Sequence, residues 1–172
     1  MMSPTHALVG LAIGSVIAPR AHAPNYLLAG ALCAVVPDVD LLAPYLGGDG
    51  DLHRRFTHSL FFGGLLGIAC GAAGAILRRP PGKCVRLGTI AALSALSHAF
   101  LDMLTTYRLG AAVLSPFSMS RYALPWRPID SLTAEAVWVA LPAVVVLLSV
   151  LRRRGIRLVT LTRGAPLSIH LR

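Results

Sequence analysis

Apolar residues run through five stretches of this 172-residue chain: Thr5 to Ala18, Tyr26 to Tyr45, Thr57 to Leu77, Leu87 to Tyr107, and Ala134 to Leu151. A helix that crosses a bilayer takes about 20 apolar residues. The third and fifth stretches meet that length best. The fourth meets it if His98 and Asp102 lie near its end, and the first is too short to cross without tilting or staying half-buried. The second is interrupted by Pro37-Asp38-Val39-Asp40, and a proline disfavours regular helix at the residue before it, here Val36. The pattern predicts an all-α fold, a polytopic membrane bundle of about five helices, in one embedded domain over residues 1–154. Residues 155–172 read as a basic cytoplasmic tail, disordered or lying on anionic lipid. No internal repeat is visible.

Composition agrees with the pattern. Hydrophobic residues make up 55% of the chain and charged residues 13%, about half the charged share of a soluble domain. The net charge of +9 comes from 16 Lys and Arg against 7 Asp and Glu. Taken alone, that excess would suit nucleic acid. The cations instead flank the apolar runs and aromatics are sparse, so juxtamembrane charge explains them better and no nucleic-acid partner is expected. Arg20, Arg78, Arg79, Lys83, Arg86 and the six arginines from Arg152 onward fall on one side of the alternating topology. Arg54, Arg55, Arg108, Arg121 and Arg127 fall on the other. The positive-inside rule then puts the N-terminus outside and the C-terminus in the cytoplasm, in what is expected to be a bacterial inner membrane. Ala21-His22-Ala23 has the look of a signal-peptidase site, but Met1 to Thr5 carries no cation, which favours a retained first helix. Cys33, Cys70 and Cys84 form no CxxC pair and suggest neither a disulfide framework nor a zinc-thiolate site. Gly63, Gly64, Gly67, Gly71 and Gly74 would let the third helix pack closely, preferably within the chain.

The candidate chemistry follows from that topology. His6, Asp38 and Asp40, His53 and His58, His98 and Asp102, and then Asp130 and Glu135 all fall at helix ends on the same membrane face. An isolated charge at mid-bilayer costs about 2.5–3.5 kcal/mol on insertion scales, so such residues persist when they pair, line water or hold an ion. His98 and Asp102 are four apart and share a helical face, with Thr105 expected one turn further along it. A break at Pro37 would free Asp38 and Asp40 to reach one site. The spacing of five between His53 and His58 leaves His53 in the preceding loop. Imidazole and carboxylate without thiolate suit Zn, Mn or Fe. Seven ligands, namely His6, Asp38, Asp40, His53, His58, His98 and Asp102, exceed one tetrahedral site and point to two divalent ions. Such pairs serve hydrolysis of phosphoesters and peptides, where a bridging hydroxide attacks phosphorus or carbonyl carbon.

Arg54 and Arg55, beside these ligands, would clamp a phosphate, with Arg121 and Arg127 assisting. Glu135 or Asp130 would act as a general base or hold a ligating histidine, although Glu135 with Thr133 would equally suit the start of the fifth helix. His22 and His170 fall on the opposite face, and Asp49 and Asp51 sit in a Gly-rich turn. The interfacial depth suggests membrane lipid as partner and a lipid or lipid-linked phosphoester as substrate. Intramembrane His and Asp also mark metal or proton-coupled transport, and a closed structural metal site is a third reading.

Several of these strings resemble a known family. Thr5-His6, Pro37-Asp38-Val39-Asp40, His53-Arg54-Arg55-Phe56-Thr57-His58-Ser59 and His98-Ala99-Phe100-Leu101-Asp102 with Thr105 look like the LexA-regulated, membrane-bound, metal-dependent hydrolases of bacteria. Ser115-Pro116-Phe117 and Pro125-Trp126 resemble that family's late loop. The likeness covers residues from about 3 to 135 and is most specific in His-Arg-x-x-Thr-His-Ser. Arg55 departs from the small residue or glycine common there. The family is distantly related to helical zinc phospholipases C and single-strand nucleases, which implies phosphodiester chemistry by analogy.

Overall fold

The computed structural model describes residues 3–19, 23–47, 53–106 and 110–153. The expected tail, with Arg157, Arg163, His170 and Arg172, lies outside the described residues, as do Arg20, His22, Asp49, Asp51 and Arg108. The described residues form five α-helices: α1 (Ser3–Ile17), α2 (Ala23–Val35), α3 (Leu60–Ile76), α4 (Pro81–Met103) and α5 (Leu132–Arg153). The described residues contain no strand, only isolated bridges at Thr105–Ile129 and Ala111–Tyr122. The all-α expectation holds.

The helix boundaries differ from the apolar stretches for local reasons. At Val35, α2 gives way to a 3₁₀ segment, Val36–Leu46, whose second residue is Pro37. The change of helix type is what the missing N–H and fixed φ of a proline impose. Gly47 closes the segment at φ 79° with its N–H returned to Pro44, a left-handed stop that glycine adopts without strain. The third helix begins at Leu60, because Ser59 is its N-cap and accepts from the Phe62 N–H at 3.0 Å. Its 17 residues span about 25 Å, so the third stretch is shorter than expected for a crossing helix. The helices long and apolar enough to cross are Ala23–Leu46, Pro81–Met103 and Leu132–Arg153. The fourth helix starts earlier than its apolar stretch because Pro81 supplies a favourable first position. Ser131, and not Thr133 with Glu135, caps α5, accepting from Ala134 N–H at 3.2 Å. The buried Ser59 hydroxyl also donates to Phe56 O at 2.7 Å. Ser59→Ala is therefore expected to cost about 1 kcal/mol, read as a lowered denaturation midpoint in detergent.

The main pairings are α1 with α2 and α3 with α4, with α4 also against α2 and α1, and α5 against α1. Glycine sets the spacing. A Cβ on Gly10 would fall within the Gly30 carbonyl, and one on Gly30 within that of Gly10. On α3, a Cβ at Gly67 would lie 2.9 Å from Gly88 O, and one at Gly63 2.6 Å from Leu96 Cδ2. Gly63 and Gly67 thus pack within the chain, as preferred from sequence, whereas nothing lies within 4 Å of a Cβ added at Gly64. Large apolar side chains face outward instead, among them Leu65 and Ile68 on α3 and Val137, Leu141 and Val144 on α5. Among its described residues α5 buries only Glu135 and Pro142. Such an apolar exterior is stable against lipid tails and unstable in water.

The two ends of the bundle differ in charge. A cavity of about 340 Å³ at one end is lined by Asn25, Tyr26, Arg79 and Lys83, and another of about 410 Å³ by Ser15, Ser149, Arg152 and Arg153. Arg153 donates to the carbonyls of Ser15 and Ala18 and so satisfies the C-terminal end of α1. The other end of the bundle carries the histidines and aspartates of the candidate site.

Candidate metal centre

The site is assembled from four places in the chain. His6 stands one turn into α1, Asp38 and Asp40 on the 3₁₀ segment, and His53 to His58 on the turn before α3. His98 and Asp102 lie on the last turns of α4. The turn is held from both sides: the Arg54 N–H donates to Asp40 Oδ2 at 3.1 Å and its carbonyl accepts from Ala112 N–H at 2.9 Å. Arg54 sits at φ 64°, a left-handed conformation uncommon for a residue with a Cβ. That twist turns its side chain inward, and only 4% of the residue is exposed.

His98 has the most defined orientation. Its Nδ1 lies 2.6 Å from the Ala34 carbonyl oxygen. A carbonyl only accepts, so Nδ1 carries the hydrogen. The neutral ring then presents the lone pair of Nε2 to the interior, the tautomer of a metal ligand steadied by a backbone carbonyl. Around that nitrogen stand His58 Nε2 at 3.1 Å, Asp38 Oδ1 at 3.3 Å and Asp102 Oδ2 at 3.8 Å. The His6 ring stacks on His98 with centroids 3.6 Å apart, and its Nε2 is 3.5 Å from Asp102 Oδ1. His6 is 1% exposed and neither of its ring nitrogens has a hydrogen-bond partner. A buried imidazole without a hydrogen bond is costly, and a cation bound between it and Asp102 would satisfy it.

Among the described residues two groups have the spacing to hold an ion: His6, His98 and Asp102, and Asp38, His53 and His58. Within each, one ligand atom per residue lies within 4.8 Å of the others. Six of the seven expected ligands therefore converge in two triads. Asp40 is placed differently. Oδ1 is 2.7 Å from His53 Nδ1, while Oδ2 accepts from Thr57 Oγ1 at 2.6 Å and from the Arg54 N–H, and lies 3.3 Å from His58 Nδ1. It orients both histidines from behind, so Asp40→Asn is expected to weaken metal affinity about 10–100-fold, measured by competition with a chromophoric chelator. At His58, burial disfavours the charged ring, but the carboxylates of Asp102 and Asp40 outweigh it and raise its pKa above the ordinary value. The cluster favours a positive charge at its centre.

Other expected roles shift. Arg54 places Nε 3.0 Å from Asp102 Oδ2 and Nη2 3.1 Å from Oδ1. This buried two-point pair answers a carboxylate of the cluster, in place of the phosphate clamp expected of it. Arg55 and Arg121 are half-buried and Arg127 is exposed. Arg121 Nη2 donates to the His53 carbonyl at 3.2 Å, next to the second triad. Glu135 is buried and accepts from Thr5 Oγ1 at 2.7 Å. It ties α5 to α1 beside His6 and belongs to neither triad. Asp130 is exposed. Thr105 lies beyond the end of α4, its hydroxyl donating to Asp102 O at 2.9 Å, and does not continue the helical face.

The segment after α4 also has a part that no periodicity in the sequence revealed. It returns over this end of the bundle through Leu124 N–H to Met103 O, Thr106 N–H to Ile129 O and Leu60 N–H to Val113 O. Ile129 packs with Leu101 and Leu104 at the end of α4.

The profile of the YdjM inner membrane protein family matches residues 1–169. Inner membrane protein YbcI of Escherichia coli strain K12 is 32% identical over 162 residues, covering 83% of this chain and 92% of the relative. No solved structure matches. These relatives and the lipid-facing helices make the chain an integral inner membrane protein.

Proposed function

We propose that this chain, which belongs to the YdjM inner membrane protein family, is a membrane-embedded metal-dependent hydrolase of a lipid or lipid-linked phosphoester. The supporting observation is the hydrogen bond from His98 Nδ1 to Ala34 O, which aims a lone pair into a cluster of three further imidazoles and three carboxylates. His6, His98, Asp102, Asp38, His53 and His58 would hold two divalent ions, Zn, Mn or Fe. Bound there, such ions would polarise a phosphoryl oxygen and acidify water for attack. The protein's own part is positional. Asp40 fixes the rings of His53 and His58, Arg54 holds Asp102, and Glu135 fixes the start of α1 through Thr5. Arg121, beside His53, and Arg55 would orient an anionic substrate. The site lies at one end of the bundle, within reach of a phosphoester headgroup at a bilayer surface. By the positive-inside rule that surface is the outer one, since Arg79, Lys83, Arg152 and Arg153 mark the opposite end.

The transport reading needs polar groups through the full depth of the bundle. Neither α3 nor the stretch of α5 between Glu135 and Arg152 contains a charged residue or histidine, and the hydrolase reading is preferred on that ground. Protein purified in detergent and loaded with zinc is expected to retain two ions per chain by elemental analysis. His98→Ala should retain fewer than one. Hydrolysis of bis(p-nitrophenyl) phosphate should appear on loading and vanish in that variant. A chain that retains no metal would end this reading. Bound metal without hydrolysis would leave a structural site, and zinc uptake into proteoliposomes that depends on His98 would favour transport.

A further inference from the structure

We infer that the two triads are unequal: His6, His98 and Asp102 hold a captive ion, and Asp38, His53 and His58 hold the exchangeable one that meets solvent and substrate. This rests on the metal-centre reading above. Three observations separate the triads.

The first is exposure. The side chains of His6, His98 and Asp102 expose 1%, 0% and 2% of their surface, whereas in the second triad Asp38 exposes 12% and His53 11%, with His58 alone fully buried at 0%.

The second is the scaffold. His6, His98 and Asp102 project from α1 and α4, which pack on each other. Asp38 stands on a 3₁₀ segment and His53 in a turn, elements that yield more easily than paired helices. The third is the hold on the ligands. His98 is fixed by Ala34 O on α2 and Asp102 by a hydrogen bond and a close ion contact from the buried Arg54, whereas His53 and His58 are held through Asp40, which stands on the 3₁₀ segment. Release of an ion requires its ligands to separate and water to enter. Around the first triad that means moving two helices and breaking a buried ion pair. Around the second it means moving a turn whose neighbour Asp38 already meets solvent. Asp38 Oδ1, 3.3 Å from His98 Nε2 and 3.7 Å from His58 Nε2, stands between the two groups.

The test follows zinc release from the loaded, full-length protein into excess 4-(2-pyridylazo)resorcinol in detergent. Release is expected in two equal phases, one ion leaving at least 100-fold faster than the other. His53→Ala should remove the fast phase and leave the slow one with its amplitude intact, and Asp38→Asn serves if His53→Ala does not fold. Two ions leaving in one phase would overturn the inference while sparing the metal-centre reading, as would loss of the slow phase in His53→Ala. A protein that carries no zinc at the start would instead bring down the metal centre itself.

Discussion

Arg54→Ala is expected to lower the unfolding free energy by about 3–5 kcal/mol, the usual cost of removing one partner from a buried ion pair. Asp102 would keep its carboxylate in the same buried place, 2% exposed, without the guanidinium that now meets both of its oxygens at 3.0 and 3.1 Å. Arg54→Lys should recover only part of the loss. An ammonium is a point charge on a flexible stem and cannot reproduce a planar two-point contact. The backbone adds a second contribution, because alanine at φ 64° keeps a Cβ in the left-handed region. Arg54→Gly is accordingly expected to be about 1 kcal/mol more stable than Arg54→Ala, although both lose the ion pair. Zinc should shrink the deficit of all three variants, since a cation beside Asp102 takes over part of the guanidinium's electrostatic work. Reversible denaturation in mixed micelles, with and without zinc, measures each difference. Unchanged stability in Arg54→Ala would mean that the pair contributes nothing net.

This arginine also marks where the sequence stops being informative. The clustering of these histidines and aspartates was legible because hydropathy gave the helix order, the order gave alternating ends, and they fell at one kind of end. That inference needed only topology, and the convergence of His6, Asp38, His53, His58, His98 and Asp102 follows from it. The roles of Arg54 and Arg55 were not legible. The two are adjacent and chemically identical, and nothing in the string shows that the first takes a positive φ and turns inward. A break at Pro37 puts both Asp38 and Asp40 within reach of one site on sequence grounds, yet in the 3₁₀ segment their side chains diverge. Asp38 points to His98, and Asp40 to the turn that carries His53 and Thr57. Residues 110–131 offered no period at all. Their course is set by single backbone hydrogen bonds to Arg54, Leu60, Met103 and Leu104, contacts without a composition signal. Cap chemistry was partly visible: Ser59 and Ser131 begin helices where the apolar runs suggested Thr57 and Thr133.

Gly10→Val is expected to destabilise the chain by at least about 3 kcal/mol, beyond the usual cost of an overfilled core, and to abolish zinc retention as well. A Cβ at this position would meet the backbone carbonyl of Gly30, which cannot rotate away as a side chain can, and also the Ala34 Cβ at 2.7 Å. The α1–α2 pair must then separate. Both helices carry parts of the site: α1 carries His6, and α2 presents the Ala34 carbonyl that orients His98. A shift of an ångström or so between them would move one ligand off the stack and release the tautomer of another. Gly64→Val provides the control. No atom lies within 4 Å of a Cβ added there, and a larger apolar side chain on that face of α3 would meet lipid, so stability within about 0.5 kcal/mol of the parent is expected. Gly14→Val, aimed at the Tyr26 carbonyl one turn further from the site, should destabilise comparably yet spare more of the zinc binding in the surviving folded fraction. Equal zinc loss at Gly10 and Gly14, after correction for folded protein, would mean that the site depends on global stability alone and not on the register of α1 against α2 beside His6.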